Sequence, residues 1–203
     1  MPFVQPASVH TSRVVRPKTE LLLPVVSIAG EEEATAAING SIRSAARMLM
    51  EEQGSLDDPR SEMLGFYELK NNQKGVLSLS LFNYAYTGGA HGLTLQRSLT
   101  FLNDEGKPIP LSGLFKPGSD YRKRLSELVA LQIKQRDIQT LQPFEGIRPD
   151  QDYYIADRAL VIWFSVYEIT PYVFGFPYFP ISVYDLTDLI REDGPLGVMD
   201  VND

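Results

Sequence analysis

The chain has 203 residues, 43% of them hydrophobic and 22% charged, an ordinary globular composition long enough to bury a core without covalent staples. A net charge of −7, with no stripe of lysine or arginine to offset it, repels phosphate backbones and excludes nucleic acid as a partner. The absence of cysteine excludes disulfides, thiolate nucleophiles and thiolate metal sites, and leaves the compartment open.

Residues 1–11 carry little pattern and read as a loose arm. Ser12–Leu23 is rich in Val and Leu and reads as a strand, or as a hairpin around Pro17. Leu21–Ala29 follows three basic residues as a secretion signal would, but its apolar run is broken by Pro24 and starts late, so it also reads as a strand. No run approaches the ~20 apolar residues of a membrane span. Glu31–Gln53 begins with three acids suited to a helix N-terminus. It continues with Ala34, Ile38, Ile42, Ala45 and Leu49 at helical spacing, and Gly54 ends it. Leu56–Arg60 is a connector, Glu62–Lys70 a strand, and Asn71–Gly75 a hairpin loop.

The centre of the chain is a second hairpin. Leu77, Leu79 and Leu81 alternate with Ser78 and Ser80; Leu93, Leu95, Leu99 and Phe101 again occupy alternate positions. This pattern predicts two half-buried strands, Gly75–Ala85 and Leu93–Asn103, joined by the glycine-rich bend of Tyr84–Gly92. After a tight turn at Asn103–Lys107, Pro108–Leu114 reads as extended, and Ser119 is placed to cap a helix over Asp120–Arg136. That helix carries the stripe Tyr121, Leu125, Leu128, Val129, Leu131 and Ile133. Phe144–Asp152 is a loop. Tyr153–Ile155 and Ala159–Tyr167 read as strands, the second central because it is nearly all apolar, and both are expected to join the sheet of the central hairpin. Pro171–Pro180 is an aromatic loop, Ile181–Val183 a short strand, Asp185–Glu192 a helical turn, and residues 193–203 a frayed tail. With so few helices the order predicts an α+β fold: two main helices on a largely antiparallel sheet, in two closely packed subdomains over residues 12–103 and 104–192.

Two stretches carry candidate chemistry. In the bend, Tyr86, Thr87, Gly88, Gly89 and His91 are the first set of candidates. His91 is a candidate general base or ligand, while the plainer reading has its imidazole fastening the bend by a backbone hydrogen bond. His10 is the only other imidazole, and no spacing of the HExxH kind is present, so no metal and no cofactor are expected. The bend lacks the Lys-Ser/Thr of a phosphate loop and no Gly-x-Ser-x-Gly elbow occurs, which argues against nucleotide binding and serine hydrolysis. In the aromatic loop, Tyr167, Glu168, Pro171, Tyr172 and Tyr178 are the second set of candidates. Prolines stiffen a loop before binding, and tyrosines suit protein interfaces and sugar stacking. Phe174, Phe176 and Phe179 are expected inside. Glu168, paired with Asp152 or Asp157, would be the acid/base of a glycan hydrolase; the plainer reading has it accepting hydrogen bonds from backbone or tyrosine.

Four segments together resemble a known bacterial family: Pro24–Gly30 before a helix containing Asn39, Tyr86–Gly92, Leu111–Phe115, and Tyr167–Gly175. They resemble the paired domains of unknown function, numbered 4163 and 3298, of the extracytoplasmic part of RsiV-type anti-sigma factors; the same pair precedes the catalytic domain of some peptidoglycan deacetylases. The resemblance runs from about Arg13 to Ile190. It implies a non-catalytic, lysozyme-capturing kind of module whose partner is a lysozyme-like protein or a peptidoglycan fragment. It also implies an extracytoplasmic location, although without a signal or span a cytoplasmic one stays open. Because this chain carries neither a membrane span nor a sigma-binding segment, the expectation is a free-standing domain. The rival reading is a cell-wall glycan hydrolase using His91 and Glu168.

Overall fold

The computed structural model describes residues 4–54, 58 and 60–200; part of the Leu56–Arg60 connector lies outside them. The chain divides into a unit ending at Pro108 and a unit beginning at Ile109. Among the described residues no helix is long and apolar enough to cross a membrane. The fold is α+β, built, among the described residues, from three α-helices, a five-stranded sheet and a separate three-stranded sheet.

In the first unit, β1 (Ser8–Arg16) and β2 (Thr19–Ser27) form a hairpin turning at Pro17-Lys18, where Lys18 takes a left-handed φ of 57°. The loose arm expected up to residue 11 is therefore strand from Ser8 onward. Exposure on nearly every β1 side chain hid it, because a strand with neither face covered shows no alternation. Helix α1 (Glu32–Glu52) crosses over from β2 to β3 (Glu62–Gln73), and β2 and β3 run parallel over Thr19–Leu21 and Met63–Gly65. The sheet is consequently mixed, in the order β1-β2-β3-β4-β5. β3 extends beyond Lys70 to Gln73 through an irregularity at Leu69/Asn71. The loop is thus only Lys74-Gly75, both at positive φ, the conformation a two-residue hairpin requires.

The strands β4 (Val76–Tyr86) and β5 (Leu93–Leu102) stand where the alternation put them. Leu77, Leu79 and Leu81 pack with Phe101 against Ile38, Ile42, Ala45, Ala46 and Leu49 of α1. β4 is buried on both faces rather than half-buried: Ser78 and Ser80 are also fully buried. Their hydroxyls pair across the strands with Thr100 and Ser98, each at 2.8 Å.

Two asparagine amides hold the rim of this sheet. Val26 N donates to Asn39 Oδ1 (2.9 Å) while Asn39 Nδ2 donates to Val26 O (2.8 Å) and to Thr35 O (2.9 Å). Asn72 treats Ala7 in the same way, at 2.9 and 2.8 Å. A primary amide presents the donor and acceptor of a peptide unit side by side, so each asparagine stands in for a missing neighbouring strand.

In the second unit, a 3₁₀ turn at Leu111–Leu114 replaces the expected extended piece. α2 (Tyr121–Gln135) follows without a side-chain cap; Asp120 occupies the N-cap position, and Ser119 Oγ is buried without a hydrogen-bond partner. Leu125 and Val129 form its buried stripe, whereas Leu131 is exposed. β6 (Tyr153–Ala156), β7 (Ala159–Trp163) and β8 (Tyr178–Ser182) form their own antiparallel sheet with β7 central, as its apolar run predicts. The expected pairing of these strands with the central hairpin is not made. β7 stops at Trp163 because the chain turns at Ser165–Glu168. α2 covers the outer backbone of β8: Gln132 Nε2 donates to Pro180 O (2.8 Å) and Arg136 to Tyr178 O (2.7 Å). Of the expected helical turn over Asp185–Glu192 one turn is made, Ile190 N donating to Leu186 O (3.0 Å) after a 3₁₀ turn at Val183–Asp185, and the expected frayed tail contains α3 (Pro195–Asp200), which buries Leu196 and Met199.

Core and rim give distinct stability predictions. Leu79→Ala and Trp163→Ala, both at wholly buried positions, should each lose ~2–5 kcal/mol in urea unfolding. Asn39→Ala should lose ~1–3 kcal/mol by leaving both Val26 groups unpaired. An unchanged midpoint for the last variant would show that the amide is dispensable.

Candidate ligand-binding surfaces

The bend between β4 and β5 is shaped by what its ends can tolerate. A Cβ on Gly92 would fall 2.2–2.3 Å from ring atoms of Tyr84, so the tyrosine lies directly over the glycine backbone and only hydrogen fits there. Gly88 turns the chain at a φ of 91°. Between these points Thr87 to His91 are all exposed, and Tyr86 is half-buried. Four of the five candidates, Thr87, Gly88, Gly89 and His91, are therefore brought together on an accessible surface. His91 Nδ1 lies 3.0 Å from Gly92 O. A carbonyl only accepts, so Nδ1 carries the proton and donates. The plainer reading of His91 therefore describes an interaction that is made.

Neighbouring groups keep the bend in place. Gln53, just past α1, donates to Leu93 O (2.7 Å) and accepts from Asn83 Nδ2 (2.8 Å), tying the helix end to both strands of the hairpin. Arg60 lies against Gly88 and binds Asp58 through its side chain and backbone. That side-chain hydrogen bond is the main reason the Asp58 carboxyl is held down to about 2.

The second surface is built on a braced turn. β7 ends and Glu168 folds back: its N–H donates to Ser165 O (3.0 Å) and its Oε2 accepts from Ser165 N (2.7 Å). Its other oxygen is held by Arg148, which also reaches Asp152 (3.3 Å) and Asp150 (3.5 Å). Both carboxylate oxygens of Glu168 are thus engaged by donors, and the guanidinium lies between it and Asp152. This is the arrangement of a structural carboxylate. Asp157, the other pairing considered, sits in the β6–β7 turn at a φ of 50°.

The brace forces Tyr167 into the left-handed region at a φ of 68°, a strained state for a bulky residue, and leaves it 53% exposed. Its ring centroid lies 5.5 Å from that of Tyr172. Tyr172 opens a single 3₁₀ turn, Tyr172–Phe174, that follows Pro171 and is closed by Gly175 at a φ of 70°. Tyr167, Tyr172, Val173 and Phe174 all face solvent, Val173 being 92% exposed. Phe174, expected inside, is a correction. Phe179 of β8 is buried against Phe164 and Phe176 stands edge-on to Trp163, whereas Phe174, on the 3₁₀ turn between Pro171 and Gly175, is 42% exposed. Val173 was missed, although an apolar residue between Pro171 and Gly175 in a stiff loop was a usable signal. Tyr178 belongs to β8, half-buried against Tyr154 and Phe176. Among the described residues no three His, Asp or Glu are grouped to hold a metal ion.

Residues 112–184 match a family described as "Protein of unknown function (DUF3298)", and residues 18–94 match one described as "Deacetylase PdaC". The second match in the chain, DUF3298, is one of the two domains the motifs resemble; the first half matches PdaC and not the domain numbered 4163. A curated relative, the peptidoglycan-N-acetylmuramic acid deacetylase PdaC of Bacillus subtilis (strain 168), is 22% identical over 172 residues, covering 79% of this chain and 37% of that protein. The crystal structure of a DUF3298 family member from Bacteroides fragilis NCTC 9343 superposes with a TM-score of 0.67 at 14% identity, covering 96% of each chain. One from Pseudomonas aeruginosa PAO1 gives 0.66 at 18%, covering 94% of this chain and 95% of that one. These two likenesses establish the shared fold.

Because His91 is exposed, His91→Gln should change unfolding free energy by no more than ~1 kcal/mol. Gly92→Ala, which must displace the Tyr84 ring, should cost ~1–3 kcal/mol; the reverse order in thermal melting would refute this account of the bend. The Asp58 carboxyl should titrate near 2 by NMR, and Arg60→Ala should return it toward 3.8. Since the folded value is depressed, whatever stability the pair adds is complete above 3.8 and is lost as pH falls toward 2.

Proposed function

We propose that the chain is a non-catalytic binding module of the cell envelope, akin to the lysozyme-capturing domain of RsiV-type proteins, and that it recognises a protein or cell-wall glycan ligand outside the cytoplasm. The observation that carries this reading is the exposed ridge of Tyr167, Tyr172, Val173 and Phe174 on a turn braced by Glu168 and Arg148. Large aromatic surfaces held rigid before contact are what binding sites are made of, because little side-chain freedom is lost on association. The relative named as a peptidoglycan deacetylase supports a cell-wall setting, and its activity belongs to a protein of which this chain spans 37%. The net charge of −7 favours a basic protein partner by steering its approach.

The site residues of this reading are Tyr167, Pro171 and Tyr172, extended by Val173 and Phe174, with Glu168 as the positioning residue behind them. Thr87, Gly88, Gly89 and His91, with Tyr86 half-buried beside them, form an accessible surface on the first unit. A hydrolase using His91 and Glu168 is disfavoured by the occupation of both Glu168 oxygens.

Binding of the intact chain to a lysozyme and to soluble muropeptides, followed by calorimetry, tests the proposal. Tyr172→Ala and Val173→Asp should weaken the interaction by about tenfold or more, with melting temperature unchanged. No binding to either probe, or turnover of a muropeptide abolished by Glu168→Gln, would overturn it.

A further inference from the structure

On the first unit, β1 forms an outer edge of the five-stranded sheet, paired with β2 along all nine of its residues without a bulge. Eight of those nine residues are exposed; Val9 is partly covered by the core, and Thr11 Oγ1 shares a hydrogen bond with Tyr67 Oη at 2.8 Å. In an antiparallel pair alternate residues turn their N–H and C=O groups away from the partner, which leaves about four residues of β1 offering unmatched backbone groups. Proteins commonly blunt such edges with proline, a bulge, an inward charge or a covering loop. β1 has no proline, glycine, lysine or bulge, and it exposes Val14 and Val15. The opposite edge, β5, is more protected, with no side chain of Leu93–Leu102 in the fully exposed class.

The charges on β1 select what can pair there. It carries Arg13, Arg16 and His10 and no acidic residue, in a chain whose net charge is −7. Arg13 is matched within the hairpin by Glu20 at 2.7 Å. Arg16 is exposed and has no ion pair among the described residues. A neutral or basic strand laid on this edge leaves Arg16 uncompensated, whereas a carboxylate opposite it adds a cross-strand ion pair. A second copy of the chain brings the same arginines to the edge and leaves Arg16 uncompensated. A nine-residue strand pair alone also buries less than the ~1,200 Å² usual for a stable dimer.

We infer that the outer edge of β1 is a strand-addition site for an extended acidic peptide segment of another protein, bound through backbone hydrogen bonds and read by Arg16. This site is independent of the aromatic ridge, so either can fail without the other.

The test uses two synthetic eight-residue peptides that alternate valine or threonine with glutamate in one and with lysine in the other. The glutamate peptide should bind the intact chain, slow amide hydrogen exchange at alternate residues of Ser8–Arg16, and bind about fivefold less tightly to Arg16→Glu. Because the lysine peptide probes the unmodified protein, the outcome does not depend on the folding of a variant. Equal binding of the lysine peptide would overturn the inference, as would unchanged exchange along β1. A concentration-dependent dimer that protects the same amides would overturn it by making a second copy the occupant.

Discussion

The first unit depends on how the backbone of Val26 is answered. β2 leaves its parallel neighbour β3 after only three paired residues, so beyond Leu21 one side of the strand has no sheet to bond. Buried peptide groups without partners are costly, and a strand that ends in that state would peel away. Asn39 resolves this from the middle of α1, a position where asparagine is otherwise a poor choice. Its amide satisfies both groups of Val26, and its remaining N–H returns to Thr35 O. The helix is thereby locked in rotation and in translation against the sheet. That alignment sets Ile38, Ile42 and Leu49 over the leucines of β4. Asn72 repeats the device at Ala7, just before β1. A hairpin secured at its base by two amides can leave its outer strand bare.

In the second unit the corresponding constraint is the Ser165–Glu168 turn. Three oxygen–nitrogen contacts, two with Ser165 and one with Arg148, hold a conformation that Tyr167 would not adopt alone. Left-handed backbone at a bulky residue costs of order 1–3 kcal/mol and persists only where its surroundings over-determine it. Here it turns an aromatic ring outward beside Tyr172 instead of into the core that Trp163, Phe164 and Phe179 already fill. Strain, brace and exposure have one physical account. The ring is held where something else can meet it.

Legibility in the sequence followed burial. α1, α2, β4, β5 and the centrality of β7 were readable because each has a buried stripe or run that imposes a period. The hairpin around Pro17 was readable from Ser12 onward, but the start of β1 at Ser8–Thr11 was not, since its exposed side chains carry no period. α3 was missed because six residues after a glycine are too few for a periodic signal. The separation into two sheets was also invisible: hydrophobic pattern tells which face of a strand is buried and not which strand lies beside it. At the candidate surfaces, the exposure of Tyr172, the backbone hydrogen bond of His91 and the acceptor role of Glu168 were legible from residue type and setting. Phe174 was misplaced because hydrophobicity alone argues for burial, whereas Gly175 at positive φ carries the chain, and Phe174 with it, outward.

The polar face of the central hairpin explains how the bend stays where it is. Ser78 and Ser80 are wholly buried, a position that favours apolar residues unless every hydroxyl is paired. They are paired, with Thr100 and Ser98, while Gln96 donates to both Ser80 and Ser98. An apolar face tolerates some sliding because one leucine contact resembles the next. A ladder of short hydroxyls does not, since a slip of one residue would set Ser78 and Ser80 among the leucines facing α1 and strand several hydroxyls at once. The ladder therefore fixes the β4–β5 register, and the register brings Tyr84 opposite Thr94 and over Gly92. The shape of an exposed, glycine-rich bend is in this way dictated by buried serines several residues away, which is why it can be built with so few contacts of its own.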